Sequence, residues 1–171
     1  MTDLMTDAPS PIVIRGFDMA DWEAVAELFI QPRCIWGTLR LPYASRDALR
    51  KRLEHADPNR HQLVALIEGR IVGMLTLRRG EGRQAHLGDI GLFVHDEFHG
   101  RGIGRKLLEA SIDLAENWLG LTRIQLDVFV DNAPAIALYE SCGFEREGIA
   151  RKFGLRDGVL VDAYYMARLK R

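Results

Sequence analysis

One stretch constrains this chain more than any other: His95-Asp96-Glu97-Phe98-His99-Gly100-Arg101-Gly102-Ile103-Gly104-Arg105-Lys106. An apolar run, Ile90 to Val94, precedes it, and an amphipathic pattern follows it. The expected local structure is a strand feeding a glycine loop that opens a helix. Such a turn presents free backbone N–H groups and the positive end of a helix dipole to an anion. Glycines let a bulky phosphate approach the backbone. The stretch therefore predicts a site for a phosphorylated cofactor.

The usual nucleotide turns do not fit. A dinucleotide-binding turn needs G-x-G-x-x-G, and the third position here is Arg105. A P-loop needs Lys followed by Ser or Thr, and Leu107 follows Lys106. His95 and His99 are four apart, but a zincin pair has Glu directly after the first His, inside a helix. Here Asp96 follows His95 and the segment runs into glycines. No metal is expected, and His99 is a solvated loop residue close to the phosphate region.

The chain has 171 residues, enough for one domain with a substantial core. Net charge is −1, with acidic and basic residues interspersed, which gives no nucleic-acid footprint. No apolar run approaches the length of a membrane span. Cys34 and Cys142 have no paired spacing, which suits a reducing compartment. Met1 to Ser10 reads as a loose tail without a basic, apolar targeting pattern, so cytoplasm is the expected location.

Residues 11–171 read as one domain. Ile12 to Arg15 is a strand. Asp18 or Asp21 caps a helix whose inner face carries Trp22, Val25, Ala26 and Phe29. Cys34 to Tyr43 is apolar but irregular, and a helix runs from about Ser45 to before Pro58. Gln62–Glu68 and Ile71–Leu77 form a hairpin turning at Glu68-Gly69. His86 to Val94 is a strand. In the helix from Gly104 to Trp118, Leu107, Leu108, Ser111, Leu114, Ala115 and Trp118 make the apolar face. Arg123 to Val130 is a strand, and Asp131-Asn132-Ala133-Pro134 starts a helix that stops at Gly143. Two last strands join at Arg156-Asp157-Gly158. The order is β-α-α-β-β-β-α-β-α-β-β: an α/β (α+β) chain around one mixed, mostly antiparallel sheet flanked by helices.

A second constellation follows the loop: Asp131-Asn132-Ala133-Pro134-Ala135-Ile136-Ala137-Leu138-Tyr139-Glu140-Ser141-Cys142-Gly143-Phe144. Together the two stretches resemble the Gcn5-related N-acetyltransferase (GNAT) superfamily. His99 to Gly104 is similar to its acetyl-CoA motif, with His99 where Gln or Arg is usual. A narrower resemblance runs through Gln31-Pro32, Thr38-Leu39, Val128 to Ile136 and Val161 to Arg168. It points to the bacterial YhhY-type acetyltransferases, implicated in acetylating free L-amino acids such as phenylalanine and methionine. These sit near the ribosomal-protein N-terminal acetyltransferases. The resemblance implies acetyl-CoA as cofactor, a small-molecule amine as partner and direct attack of the amine on the thioester. Protein α-amine acetylation or a non-catalytic acyl-CoA sensor are the alternatives. Dimers are common in the family, so the resemblance also allows a homodimer through the late strands.

The pyrophosphate is expected on the N–H groups of Arg101, Gly102, Ile103 and Gly104, flanked by His99, Gly100, Arg105 and Lys106. The pantetheine arm is expected to pair with Leu92, Phe93 and Val94 as an added strand. Asn132 is its polar anchor, with helix capping as the structural alternative. Ala135 and Leu138 belong to the second cofactor-contacting helix. By resemblance, Tyr139 is the acid that protonates the departing thiolate; a phenol remains protonated at neutral pH. Asp89, amid apolar strand residues, is the expected base or substrate ligand, and Asp162 is its rival. Trp36, Leu39, Leu41 and Tyr43 would wall an apolar amine pocket. Cys142 is a helix-end residue without a nucleophilic role. Gly102→Asp adds bulk and like charge at the phosphate site, so it should abolish acetyl-CoA binding in calorimetry; wild-type affinity would overturn the loop assignment.

Overall fold

The computed structural model describes residues 10–171, and all but the last residue of the expected N-terminal tail lie outside it. Asp18 caps a short 3-10 turn in a capping box with Asp21, and α1 (Trp22–Phe29) follows the strand β1 (Ile12–Gly16). The segment expected to be irregular contains an additional short helix, α2 (Pro32–Trp36), started by Pro32 at its first turn. Five residues are too few to show a helical period in sequence. Next comes α3 (Arg46–Glu54), where the Ser45 side chain accepts from Ala48 N–H.

Strands β2 (Arg60–Ile67) and β3 (Arg70–Arg79) form the expected hairpin. Glu68 and Gly69 both have positive φ, 50° and 77°, as a tight primed turn requires. Then β4 (Leu87–Val94) leads through the glycine loop into α4 (Ile103–Asp113). The helix continues into a π-helical turn, Leu114–Trp118. That turn shifts the helical phase. Trp118, expected on the apolar face, is therefore 77% exposed, and its indole N–H donates to Asp113.

The remaining elements are β5 (Arg123–Phe129), α5 (Ala133–Ser141), β6 (Glu145–Arg156) and β7 (Val159–Leu169). The seven strands form one sheet in the order β1-β2-β3-β4-β5-β7-β6. Only β4 and β5 run parallel, and their pairing covers just Leu87–Arg123, Gly88–Ile124 and Asp89–Gln125. Beyond that point β4 stays on β3 as far as Val94, while β5 stays on β7 as far as Phe129. The two strands diverge in the middle of the sheet.

Helices cover the faces unequally. On one face α4 and α5 pack Ile103, Leu107, Leu108 and Ile136 against Val72, Leu75, Ile124, Leu126 and Val128. On the other, α1 and α3 place Val25, Leu28, Leu49 and Leu53 over Val64 and Met74. This second layer stops short of the start of β4 and of β5 and β7, where Asp89, Asp127 and Tyr165 are exposed. No helix among the described residues is long and apolar enough to cross a membrane.

Candidate active site

The site lies where β4 and β5 part. Backbone N–H and C=O groups on the facing edges, Ile90–Val94 and Leu126–Phe129, have no strand partner across the gap. Unpaired strand edges in a sheet interior cost free energy unless something pairs with them. An extended amide chain of the pantetheine kind meets that need.

At the end of β4 the glycine loop has the backbone geometry of an anion cradle. Gly100 and Gly102 have φ of +74° and +80°, and Gly102 is the N-cap of α4. A Cβ at either glycine would meet nothing within 4 Å. The cradle therefore opens outward, with the first N–H groups of α4 behind it. Gly104 serves a different need. A Cβ there would lie 3.1 Å from Leu138 Cδ2 and 3.6 Å from Leu92 Cδ2. Its missing side chain lets α4 and α5 close together beneath the loop. Ile103 is buried and anchors the turn in the core.

Several expected cofactor residues are occupied by the protein itself. His99 places Nε2 3.0 Å from the Val94 carbonyl oxygen, and its Nδ1 lies 3.4 Å from Arg33. It braces the loop against the strand end, leaving the phosphate region to its neighbours. Arg105 donates to Ser141 Oγ at 2.8 Å, at the far end of α5. That bond ties the exposed Arg105 side chain, in the first turn of α4, to the end of α5. Arg101 lies over the Phe98 ring, 4.8 Å from its centroid. Asn132 caps α5, accepting from Ala135 N–H at 3.4 Å. Its Nδ2 is 3.4 Å from where a Cβ on Gly37 would stand, so it also closes against the end of α2.

Tyr139 is buried in the cluster containing Leu126 and Val128, with its ring 5.8 Å from that of Phe144. Its hydroxyl has no hydrogen-bond partner among the described residues. Burial pushes the phenol well above its ordinary value, and the charge of Asp127 adds to the rise. It holds its proton at neutral pH.

On the open face of the sheet, strand alternation aligns Asp89 with Gln125 and Asp127. Asp89 accepts from Gln125 Nε2 at 2.8 Å. Arg123 supports Gln125 through Nε at 2.9 Å and pairs with Glu147. Asp127 was missed in the sequence. Its carboxyl is pushed above the ordinary range, first by desolvation and then by the charge of Asp89. The available signal was a carboxylate between Leu126 and Val128, directed to the face opposite both. Phe93 faces the same side, in an edge contact with Phe29 at 5.4 Å between centroids. Between Asp89 and Phe93 lies Gly91, where a Cβ would touch only the Phe93 ring.

The expected amine wall is assembled in part. Trp36 and Asp162 line one cavity of about 560 Å³ with Val130, Asp131 and Arg156. Arg156 stacks on Trp36 at 4.0 Å and pairs with Asp131. Leu39 approaches Phe129 at Gly154. Two residues do not join the site. Tyr43 is 100% exposed with φ of 63°, and Leu41 is 79% exposed. Asp162 accepts from the Lys152 N–H at 2.8 Å, closing a bulge in β6, so it has a structural partner. Cys142 ends α5 as expected, and burial pushes the Cys34 thiol up to about 11.

The sequence model of the acetyltransferase (GNAT) family matches residues 22–144. The chain belongs to the GNAT family. Acetyl-CoA is accordingly its acetyl donor, and its reaction is N-acetyl transfer. Among curated proteins it is 43% identical to the L-amino acid N-acetyltransferase AaaT of Escherichia coli, over 94% of this chain and 99% of that protein. It is 33% identical to the N-alpha-acetyltransferase RimI of Mycobacterium tuberculosis, over 96% of each chain. In fold it matches the spermidine N-acetyltransferase of Vibrio cholerae in complex with CoA and spermine, with a TM-score of 0.83 at 24% identity. That likeness covers 92% of this chain and 95% of the other.

Asp89→Asn removes the like charge facing Asp127 and should lower the Asp127 titration midpoint, read by carboxyl-carbon NMR. An unmoved midpoint would dissolve the coupling between the two.

Proposed function

We propose that this acetyltransferase acts on the α-amine of a free, apolar amino acid of the phenylalanine or methionine kind. The observation that carries the amine chemistry is the pair Asp89 and Asp127, beside the unpaired edge of β4 on the open sheet face. The near full-length likeness to an L-amino acid N-acetyltransferase supports the class of amine. Trp36, Leu39 and Phe93 supply apolar surface for its side chain.

Acetyl-CoA, when bound, supplies a thioester carbonyl open to an amine. The N–H groups of Arg101 to Gly104 hold the pyrophosphate at the start of α4. Leu92, Phe93 and Val94 hold the arm by backbone pairing, which fixes the reacting geometry. An ammonium must lose its proton before it attacks. Asp89 and Asp127 attract it electrostatically and take that proton. The raised affinity of Asp127 for protons makes it a stronger base than an ordinary surface carboxylate. Tyr139 gives its phenolic proton to the departing sulfur, a role supported by its retained proton and its unpartnered hydroxyl. Asn132 holds the start of α5, and hence Tyr139, at a set height over the gap. Ala135 and Leu138 form the helix surface beside the arm.

The reading extends to a cytoplasmic homodimer. Its two free cysteines support a reducing compartment, and exposed Leu155, Val159 and Leu160 at the tip of the last hairpin support self-association.

A second reading, acetylation of a peptide α-amine, is supported by the likeness to RimI. Free-thiol release from acetyl-CoA across an amine panel separates the two. Saturable turnover is expected with L-phenylalanine and L-methionine. Turnover confined to peptides would replace the first reading with the second. Separately, Tyr139→Phe should lower turnover by about a hundredfold or more with acetyl-CoA affinity retained; unchanged turnover would remove Tyr139 from the acid role.

A further inference from the structure

Arg40 has a cationic head group and no carboxylate partner among the described residues. It lies between α2 and α3, at the border between the apolar layer under α1 and the open face of the sheet. Its guanidinium carbon is 3.5 Å from the Phe29 ring centroid and 4.8 Å from that of Phe93. Aromatic faces of this kind hold a guanidinium plane in one orientation. The backbone is fixed as well. Arg40 N–H donates to Thr38 Oγ1 at 3.2 Å, and the Thr38 hydroxyl donates to the Cys34 carbonyl at 2.7 Å.

The polar atoms are left over. Arg40 Nε is buried without a hydrogen-bond partner. Neither terminal nitrogen donates to an oxygen of the described residues, and no carboxylate among them lies within ion-pair distance. The Cys34 side chain lies within hydrogen-bonding reach of the guanidinium, but sulfur is a weak acceptor. Desolvation lowers the pKa to about 10, with the Cys34 thiol opposing and the charge of Arg52 adding to the fall. The group therefore remains cationic at neutral pH. A half-buried guanidinium with no carboxylate on its fork carries a desolvation cost that a bidentate carboxylate offsets. Its neighbour Phe93 lies on β4, two residues along the same face from the bare position at Gly91.

We propose that Arg40 recognises the α-carboxylate of the amino-acid acceptor, through its guanidinium fork, and so holds the α-amine over Gly91 at the open edge of β4. The proposal rests on the amino-acid reading above. It makes Arg40 a specificity-determining residue: amines without an adjacent carboxylate leave its fork unpaired. The arrangement also divides the site by charge. The carboxylate end of the acceptor faces Arg40, and the ammonium end faces Asp89 and Asp127.

The test compares L-phenylalanine with L-phenylalaninamide, which has the same side chain and amine but no carboxylate. Wild-type enzyme should favour the free acid. Arg40→Met keeps most of the apolar stem and removes the fork. It should raise KM for L-phenylalanine by about 10- to 100-fold and leave KM for the amide and the affinity for acetyl-CoA nearly unchanged. Arg40→Lys should recover only part of the loss, because an ammonium cannot make the bidentate pair. If Arg40→Met does not fold, inhibition of the wild type by 3-phenylpropanoate against 3-phenylpropanamide keeps the question open to measurement: the acid must bind more tightly. An equal loss for acid and amide, or none for either, would overturn the role of Arg40 with the amino-acid reading intact. Wild-type enzyme that acetylates peptides and no amino acid would instead overturn the reading on which the proposal rests.

Discussion

Three pairs of residues hold β4 against β5, and then the pairing stops. Everything else about the site depends on that early stop. A parallel pair carried to its full length would seal the middle of the sheet. Instead each strand keeps one neighbour and turns an unpaired edge to the gap. The gap is stable because both strands are anchored elsewhere: β4 from Gly88 to Val94 along β3, and β5 along β7. Their buried side chains are held by α4 and α5 from one face. The glycine cradle at the end of β4 and Tyr139 on α5 then stand on the same opening.

Charge is distributed around the opening with little redundancy. The glycine loop offers backbone N–H groups at a helix start, a fixed partial positive charge independent of pH. The open face offers two carboxylates, and desolvation first, then the charge of Asp89, raises the proton affinity of Asp127. Many other charges are spent on structure. Arg123 pairs with Glu147, Arg156 with Asp131, and Arg168 with Glu116. Arg40 stands apart from these pairs, clamped between aromatic rings in the layer that borders the acceptor face.

The fold was largely legible in the sequence because its cues are local. Primed turns at Glu68-Gly69 and Asp157-Gly158, the caps Asp18, Ser45 and Asn132, and the glycine loop each act within a few residues. Where reading along the chain failed, the cause was not local. Trp118 left the apolar face because a π-helical turn shifted the phase, and Pro32 opened a helix too short to have a period. Among site residues, the cradle and the element carrying Tyr139 were legible from glycine spacing and the helix-start pattern. The side-chain contacts of His99, Arg105 and Asp162 were not, since His99 meets Arg33 and Arg105 meets Ser141, both distant in sequence, and Asp162 closes a bulge.

The sequence by itself determined the strand, the glycine turn and the helix, because a glycine turn and the N–H groups freed at a helix start need no distant partner. It also determined the family, since both motifs are contiguous. Tertiary structure alone decided where β4 and β5 part, that Asp127 lies on the same face as Asp89, and that Arg40 lacks a counter-charge among the described residues. Those properties depend on which strands become neighbours and how far their pairing runs, and long-range contacts set both.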